Sequence, residues 1–178
     1  MNRLFKRITV YTAIGGAGLL LLGLGCYAAG ARINTTRSIP LGLYWTSSAP
    51  VEKGAYVLFC PPPLGVFDEA KQRGYIAAGF CPGNYSYMMK RVLAAKNDAV
   101  SVADDGVRVN GNLLPFSKPF KADKGGRPMP RYQSNSYTLG DYEVLLMTDV
   151  SPVSFDGRYF GPINRSQIKT VITQVITW

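Results

Sequence analysis

The amino-acid sequence contains no histidine, and this limits the hydrolytic chemistry open to it. A Ser-His-Asp triad, a Cys-His dyad and an HExxH zinc site all need imidazole. Three cysteines without histidine also fall short of a structural zinc site. If the protein is a hydrolase, the plausible remaining pair is a serine nucleophile with a lysine base. Because the ordinary pKa of lysine is about 10.4, such a lysine must be desolvated before its amine can accept the serine proton.

Lys90 is the lysine that best meets this demand, because it lies in the apolar segment Tyr87–Leu93. Side chains at alternate positions of a strand share a face, so Met88 and Val92 would flank Lys90. Arg91 would point the other way. This environment favours partial desolvation of the amine. The pattern also fits an ordinary exposed lysine on an edge strand, so these residues alone leave the assignment open.

If the enzyme acts at a membrane surface, its nucleophile must closely follow the apolar N-terminal segment that ends at Ala31, and Ser38 is then the candidate. Pro40 stiffens the turn and pushes Ile39 toward extended geometry, and Gly42 permits unusual backbone angles. If the loop is extended, the Thr36 hydroxyl shares a face with Ser38 and could donate a hydrogen bond to an oxyanion. The alternative is a solvated Ser/Thr turn with no catalytic role.

A dense polar and aromatic stretch, Ser154–Gly161, lies further along the chain. Within it, Asp156 and Arg158 are spaced to pair with each other or with neighbouring loops. The alternative to a catalytic role is a structural salt bridge in a loop. The pattern favours that salt bridge over direct catalysis by either residue.

The first 31 residues are predicted to place the rest of the chain outside the cytoplasm. Arg3, Lys6 and Arg7 carry the charges of this segment, and no charged residue occurs from Ile8 to Ala31. A run of about 20 apolar residues crosses a bilayer core, and its basic end stays cytoplasmic. Residues 1–31 are therefore an uncleaved signal-anchor or a cleaved signal peptide, the anchor being favoured, and residues 32–178 form an exported domain. A buried core helix is the alternative.

The formal net charge of +9 would suit a nucleic-acid ligand, but its distribution argues against one. Three basic residues belong to the N-terminal segment, and most of the others are dispersed along the chain. Five cluster in a Gly/Pro-rich stretch that we interpret as a solvated loop: Lys118, Lys121, Lys124, Arg127 and Arg131. No nucleic-acid partner is therefore expected.

Export would place Cys60 and Cys81 in a compartment that permits disulfides. Each of these cysteines ends an aromatic-containing run and precedes a proline, whereas Cys26 lies in the apolar N-terminal segment. We predict a Cys60–Cys81 bridge that tethers a loop to the sheet. Two free thiols are the alternative.

Beyond residue 31 the sequence predicts one mainly β, antiparallel domain. Short segments rich in β-branched or aromatic residues alternate with turn signals, and Asn110-Gly111 is a strong hairpin signal between two of them. The predicted strands are 55–59, 86–93, 99–103, 107–110, 113–114, 143–147 and 170–176, with single helical turns at 68–74 and 164–168. No long amphipathic helix and no internal repeat is apparent.

Taken in chain order, these segments resemble the signal peptidase I family (peptidase S26) of membrane-anchored Ser-Lys proteases. The motifs that carry the resemblance are Ser38–Pro40, Gly54–Val57, Lys90–Val92, Val109–Gly111 and Ser154–Gly161. The segments similar to the TraF-type peptidases of conjugative plasmids are Asn34–Tyr44, Arg131–Tyr137 and Ser154–Pro162. The resemblance implies a signal-peptidase-like antiparallel β-sheet catalytic domain behind an N-terminal transmembrane or signal helix.

The resemblance also implies a role for each site residue, and it implies no metal or cofactor. The implied residues are the nucleophile Ser38, the general base Lys90, the oxyanion donor Thr36, the Lys90-orienting Ser154, and the supporting ion pair Asp156 and Arg158. The reaction would be peptide cleavage through an acyl-enzyme on the serine.

The implied substrate is a conjugative pilin precursor, cut near its C-terminus by a periplasmic domain at the bacterial inner membrane. In some systems of this type the pilin is then joined head to tail. Other conjugative pilus-assembly proteins are expected neighbours. The rival interpretations are a general leader peptidase of the same chemistry, a non-catalytic membrane-anchored assembly scaffold, and a basic nucleic-acid-binding module of the transfer machinery.

Overall fold

The chain begins with a long apolar helix that stands apart from the rest of the protein. A computed structural model describes residues 3–178, and in it helix α1 runs from Arg3 to Ala28. Its described side chains are exposed, and the span Phe5–Ala28 is long and apolar enough to cross a membrane. No carboxylate lies in the helix. A helix that is apolar on all sides and whose described side chains are exposed, apart from its junction with the first strand, needs an apolar surrounding.

The junction between α1 and the first strand is short and pinned. Strand β1, Ala31–Asn34, begins three residues after the helix ends. The Arg32 guanidinium lies 4.0 Å from the ring centroid of Tyr27 and donates a hydrogen bond of 2.7 Å to the Tyr27 carbonyl. A cation near the last carbonyls of a helix is favourably placed against the helix dipole.

The remaining elements are mostly short strands, as the residue pattern predicts. After β1, the strands in chain order are β2 Gly42–Ser47, β3 Tyr56–Phe59, β4 Ala78–Cys81, β5 Met88–Ala94, β6 Ala99–Ala103, β7 Gly106–Val109, β8 Asn112–Leu113, β9 Ser134–Thr138, β10 Glu143–Met147, β11 Ile163–Asn164 and β12 Ile168–Thr177. The helices after α1 are α2 Gly65–Gln72 and α3 Gly157–Phe160, with single 3₁₀ turns at Pro82–Asn84 and Arg165–Gln167.

The strands form two antiparallel sheets, which confirms the mainly β fold class. The larger sheet has seven strands in the order β1-β2-β12-β3-β5-β10-β11. Strand β5 lies inside it, because β3 pairs with one edge and β10 with the other. An interior strand has partners for its backbone groups on both sides, so β5 is a rigid place for a functional side chain.

The smaller sheet has four strands in the order β8-β7-β6-β9. The predicted Asn110-Gly111 turn joins β7 to β8, and both turn residues have positive φ, 52° and 81°. Positive φ at both central residues is the geometry that the Asn-Gly pair favours. Residues 114–133, here called the strap segment, connect β8 to β9 and contain no regular strand or helix.

An aromatic cluster, defined by Phe67, Tyr85, Phe155 and Tyr159, fills the space beside the larger sheet. These four side chains are at most 7% exposed. Helix α2 supplies Phe67, and the Cys60–Cys81 disulfide of the structure, with an S–S distance of 2.06 Å, belongs to the same core. The cluster therefore joins the ends of β3 and β4 to the segment that follows β10.

The sequence-based element boundaries need several corrections. Strands β1, β2, β4, β9 and β11 and helix α3 were not predicted, because they are short or polar and owe their geometry to pairing and packing. Helix α2 occupies 65–72 rather than 68–74, since it starts just after a run of three prolines. The second predicted turn is the 3₁₀ turn Arg165–Gln167.

Candidate active site

The loop that carries Ser38 joins β1 to β2 and is organised by one buried amide. The Asn34 side chain donates hydrogen bonds to the carbonyls of Thr36, Ile39 and Pro40 at 2.7, 2.9 and 3.0 Å. Ile39 is fully buried and fixes the loop to the core, while Ser38 stays partly accessible. Three bonds from one side chain hold the loop in a single shape, so Ser38 is held between two anchored residues.

Ser38 and Lys90, predicted from separate motifs, meet in the structure. Lys90 Nζ donates a hydrogen bond of 2.7 Å to Ser38 Oγ. Lys90 is 1% exposed and lies at the middle of β5, opposite Val57 of β3. Within β5, Lys90 and Val92 are buried on one face, as their alternation predicts. The alternative of an exposed edge-strand lysine is wrong.

Ser154 completes the surroundings of the amine. Lys90 Nζ donates a second hydrogen bond of 2.8 Å, to Ser154 Oγ. In the part of the chain that the structure describes, Lys90 forms no salt bridge. Two neutral hydroxyl partners orient the amine without holding a proton on it as a carboxylate would.

Burial tunes the basicity of Lys90. Desolvation lowers the pKa of the Lys90 ammonium from 10.5 to about 8. The carboxylate of Asp156 acts against this by raising the pKa, and the guanidinium of Arg158 lowers it again. Because the two charges act in opposite directions, burial remains the main cause. A lysine with this pKa has a substantial neutral fraction near neutral pH and can serve as a base.

The pair formed by Asp156 and Arg158 is completely buried behind the amine. Arg158 Nε and Nη2 contact the two oxygens of Asp156 at 2.8 and 2.9 Å, a fork geometry. Arg158 Nη1 also donates to the Pro152 carbonyl at 2.8 Å, and Asp156 accepts from the backbone N–H of Thr148 at 3.2 Å. The pair thereby ties the end of β10 to the segment carrying Ser154. It is a structural support, as the residue pattern favours.

Thr36 lies beside Ser38 but does not share an extended face with it. The segment bends here, and the Thr36 hydroxyl donates its proton to Asn34 Oδ1 at 3.0 Å. The same Asn34 oxygen accepts from the Thr36 backbone N–H at 3.1 Å. A hydroxyl has one proton to donate, so Thr36 can serve an oxyanion only by releasing Asn34.

A cavity of about 700 Å³ opens directly onto the two serines. Most of its surface is apolar and aromatic. Ser38 and Ser154 lie at one end of the cavity. The aromatic side chains of its wall are Tyr75, Phe120, Phe155 and Tyr159. The volume is in the range typical of ligand sites, and the lining combines the apolar wall with charged side chains, among them Arg37 and Lys124.

The strap segment forms one wall of this cavity and is docked rather than freely solvated. The Phe120 backbone N–H donates to the Tyr159 hydroxyl at 3.0 Å. The Tyr75 hydroxyl donates to Asp123, and Asp123 also pairs with Arg127 at 2.7 Å. These contacts hold the pKa of the Asp123 carboxyl well below its usual range, the Tyr75 hydrogen bond being the largest cause. The five cations expected on a solvated loop are exposed, and the same loop also forms a wall of the cavity.

Sequence reasoning missed several residues of the site. Asn34 enters the sequence-based prediction only as the first residue of the stretch Asn34–Tyr44, although its amide shapes the loop that carries Ser38. Phe120 and Asp123 lie in the strap segment, whose composition reads as a plain loop. No local pattern marks these three residues, because their partners are distant in sequence. Within residues 3–178, no group of three or more potential metal ligands occurs.

Comparisons with known proteins agree with the motif-level resemblance. Residues 8–178 match the family described as signal peptidase, peptidase S26. The chain is 78% identical over 178 residues to a plasmid transfer protein TraF of Escherichia coli, covering 100% of both chains. It is 34% identical over 169 residues to a conjugal transfer protein TraF of Agrobacterium fabrum, covering 93% of this chain and 94% of that one. A signal peptidase I crystal structure from Enterococcus faecalis superposes with a TM-score of 0.39 and 18% identity, covering 71% of this chain and 100% of that chain.

Proposed function

The chain belongs to the signal peptidase S26 family and groups with the TraF transfer proteins, and from this premise we propose that it is a Ser-Lys endopeptidase. Ser38 is the nucleophile and Lys90 the general base. The observation that carries the proposal is the 2.7 Å hydrogen bond between Lys90 Nζ and Ser38 Oγ at a fully buried amine. Burying a lysine without a carboxylate partner destabilises the fold, and a role as the base for Ser38 would explain why this lysine is buried.

The chemical steps follow from the hydrogen bonds of the site. Neutral Lys90 accepts the Ser38 hydroxyl proton as Oγ attacks the substrate carbonyl, and Ser154 keeps the amine aligned during the transfer. The ammonium then returns its proton to the leaving amine, so an acyl-enzyme forms on Ser38. Water attacks this ester in the second half of the reaction, again with Lys90 as base.

The oxyanion would be stabilised by the Ser38 backbone N–H and the Thr36 hydroxyl. The Thr36 contribution requires the rotation of its hydroxyl away from Asn34 Oδ1, which the incoming oxyanion would favour because a charged acceptor binds a proton more strongly than an amide. Removing one such donor typically lowers kcat by about 10²-fold or more. Thr36→Val tests this role, since it keeps the shape and removes the hydroxyl.

The substrate we propose is a membrane-bound pilin precursor, cut near its C-terminus for conjugative plasmid transfer. Support comes from the relatives, which are named plasmid or conjugal transfer proteins. The apolar helix α1 supports an inner-membrane anchor with the catalytic domain in the periplasm, next to other pilus-assembly proteins. An anchored protease meets an anchored substrate at the same surface, which raises their local concentration.

The acyl-enzyme also allows the pilin ends to be joined. If the N-terminal amine of the same pilin attacks the Ser38 ester, the product is a cyclic chain and Ser38 is regenerated. Intramolecular attack has a high effective molarity, so an amine held near the ester can outcompete water.

Mass spectrometry of pilin from cells that express each variant tests the proposed function. Ser38→Ala and Lys90→Ala should leave the precursor uncut, while the matched controls Ser166→Ala and Lys169→Ala should leave a mature product. Mature pilin in cells with either folded active-site variant would exclude the catalytic proposal and favour a scaffold. Parallel incubation of the purified protein with a secreted precursor separates the pilin protease from a general leader peptidase.

A further inference from the structure

The strap segment concentrates positive charge around the candidate active site. Lys118 and Lys121 line a second cavity of about 510 Å³, and Lys124 lines the first cavity together with Arg37 from the nucleophile loop. Phe120 lines both cavities, so the two meet at its side chain. The charge therefore follows a continuous surface that leads to Ser38.

The acids near this surface are already paired. Asp123 pairs with Arg127, and Asp104 pairs with Arg131. Asp104 also accepts a hydrogen bond from Gln133 at 3.3 Å. These pairs use two arginines of the strap segment to fix its shape.

Four cations remain exposed and form no ion pair within residues 3–178: Arg37, Lys118, Lys121 and Lys124. Asp105 pairs with Arg108, and its pKa is lowered mainly by the Arg108 hydrogen bond and to a smaller extent by Lys118. Like charges that border one cleft raise its potential and attract anions.

We propose that these four cations, which we call the cationic rim, bind an acidic segment of the peptide substrate next to its scissile bond. This inference rests on the proposed peptidase function. The substrate carboxylates would pair with the rim, while neighbouring apolar side chains would contact Phe120 and the aromatic wall. The rim acts in binding and orientation, and it does not touch the reacting atoms.

A peptide fits this surface better than an anionic lipid. The cations are spread around two concave cavities with an aromatic side chain between them, and one cavity holds the nucleophile. An extended peptide can place side chains alternately into such pockets. A bilayer surface would instead require the cations on a flat, accessible face.

The test measures binding by the full-length, detergent-solubilised Ser38→Ala protein, so that no cleavage interferes. The probes are two fluorescent peptides of identical length, one carrying several glutamates and the other glutamines at the same positions. The glutamate peptide should bind more tightly, and the difference should shrink as salt is added. Each of the substitutions Lys118→Glu, Lys121→Glu and Lys124→Glu should weaken binding of the glutamate peptide roughly threefold. The three together should therefore weaken it about 30-fold.

The matched control is Lys169→Glu, which changes charge by the same amount per residue on an exposed lysine of β12. It should leave the binding of both peptides unchanged, and circular dichroism should show that every variant is folded. In the protein with Ser38 intact, the rim variants should raise KM for the glutamate peptide while kcat stays near its original value.

Three results separate the ideas. Equal binding of both peptides, or equal loss of both in the rim variants, would overturn the cationic rim as an acidic-peptide site. Binding to phosphatidylglycerol vesicles is measured on the same variants. If the rim variants lose vesicle binding but bind the glutamate peptide as the parent protein does, the rim is a lipid site and the acidic-peptide proposal is overturned. Charge-dependent peptide binding together with pilin maturation by Ser38→Ala would support the rim and disprove the proposed peptidase function.

Discussion

At the scale of single residues, the burial of Lys90 links chemistry to stability. The amine is removed from water and receives two serine hydroxyls in exchange, with no carboxylate in contact. Burying an ionised ammonium this way disfavours its charged form, which both creates the base and weakens the fold. A residue that lowers the stability of the fold but supplies a reactive group is typical of a functional site.

The rate of peptide cleavage should rise with pH up to the pKa of Lys90. Because the neutral amine is the base and the pKa is about 8, kcat/KM should increase as pH approaches 8 and then level off. The measurement is kcat/KM on a fixed peptide from pH 6 upward, within the range in which the fold is stable. A rate that falls as pH rises through 8 would contradict Lys90 as the base.

Replacing Lys90 by Met should abolish cleavage and yet stabilise the protein. The lowered pKa, from 10.5 to about 8, corresponds to a cost of up to about 3 kcal/mol at neutral pH. Since the unfolded chain binds the Lys90 proton up to about pH 10.5 and the folded chain only to about 8, this cost falls between those pH values. The advantage of Lys90→Met in denaturant unfolding should therefore narrow from pH 8 to pH 10. Lower stability of the variant at pH 7 would count against the desolvated amine.

The residue roles were predictable where the chemistry is local to a motif. The alternation around Lys90 predicts its buried face, and the spacing of Asp156 and Arg158 predicts their pairing. The bonds of Asn34 were not predictable, because an asparagine beside a turn has many possible partners. The hydrogen bond from the Thr36 hydroxyl to Asn34 was not predictable either, because an extended loop would have placed this hydroxyl beside Ser38.

At the scale of elements, strand prediction succeeded where residue type alone favours a strand. The segments at β6 and β10 were placed with their observed bounds, since each is hydrophobic except for one polar residue, Ser101 in β6 and Glu143 in β10. Strand β9, in contrast, is polar along its length and pairs with β6. Its geometry comes from a neighbour that the sequence pattern does not identify, so it could not be read locally.

The Cys60–Cys81 bridge should stabilise the elements that support Ser154. It closes a chain separation of 21 residues, for which the loop-closure relation gives about 3 kcal/mol. Replacing both cysteines by serine should lower the free energy of unfolding by about that amount. It should also reduce kcat, because Phe155 of the aromatic cluster is the neighbour of Ser154.

Cys26→Ser is the matched control for this pair, since Cys26 is a free, exposed thiol in α1. A reductant should lower the unfolding temperature of the original protein. It should leave the unfolding temperature of the double serine variant unchanged. An unfolding temperature that reductant leaves unchanged in the original protein would exclude the bridge as a stabilising contact.

At the scale of the whole molecule, the larger sheet, the strap segment and helix α1 occupy separate parts of the structure. The seven-stranded sheet holds Lys90, the strap segment between β8 and β9 walls the cavity, and α1 stands outside both. The positive charge is divided likewise, with Arg3, Lys6 and Arg7 before the uncharged run Ile8–Ala31 and the cationic rim beside the cavity. In the proposals made above, the first group of charges orients the chain in the membrane and the second binds the substrate.

Fusion reporters should place the C-terminus outside the cytoplasm. Alkaline phosphatase fused after Trp178 should be active, because it folds only in an oxidising compartment. A green fluorescent reporter fused at the same point and exported through the Sec pathway should stay dark. Bright fluorescence with an inactive phosphatase would contradict the proposed periplasmic domain.

For the proposed peptidase, the pinned junction after α1 would limit which peptide bonds Ser38 can reach. Only the ten residues 29–38 lead from Ala28, where the helix ends, up to and including Ser38. Even fully extended they would span about 33 Å, and the four paired residues of β1 and the bent nucleophile loop make the actual distance shorter. If α1 stays in the bilayer, Ser38 works at a fixed height above the membrane. The cleavage position in a substrate would then be measured from the end of its own membrane span, so that lengthening the spacer there should shift the cut without any change in the residues around it.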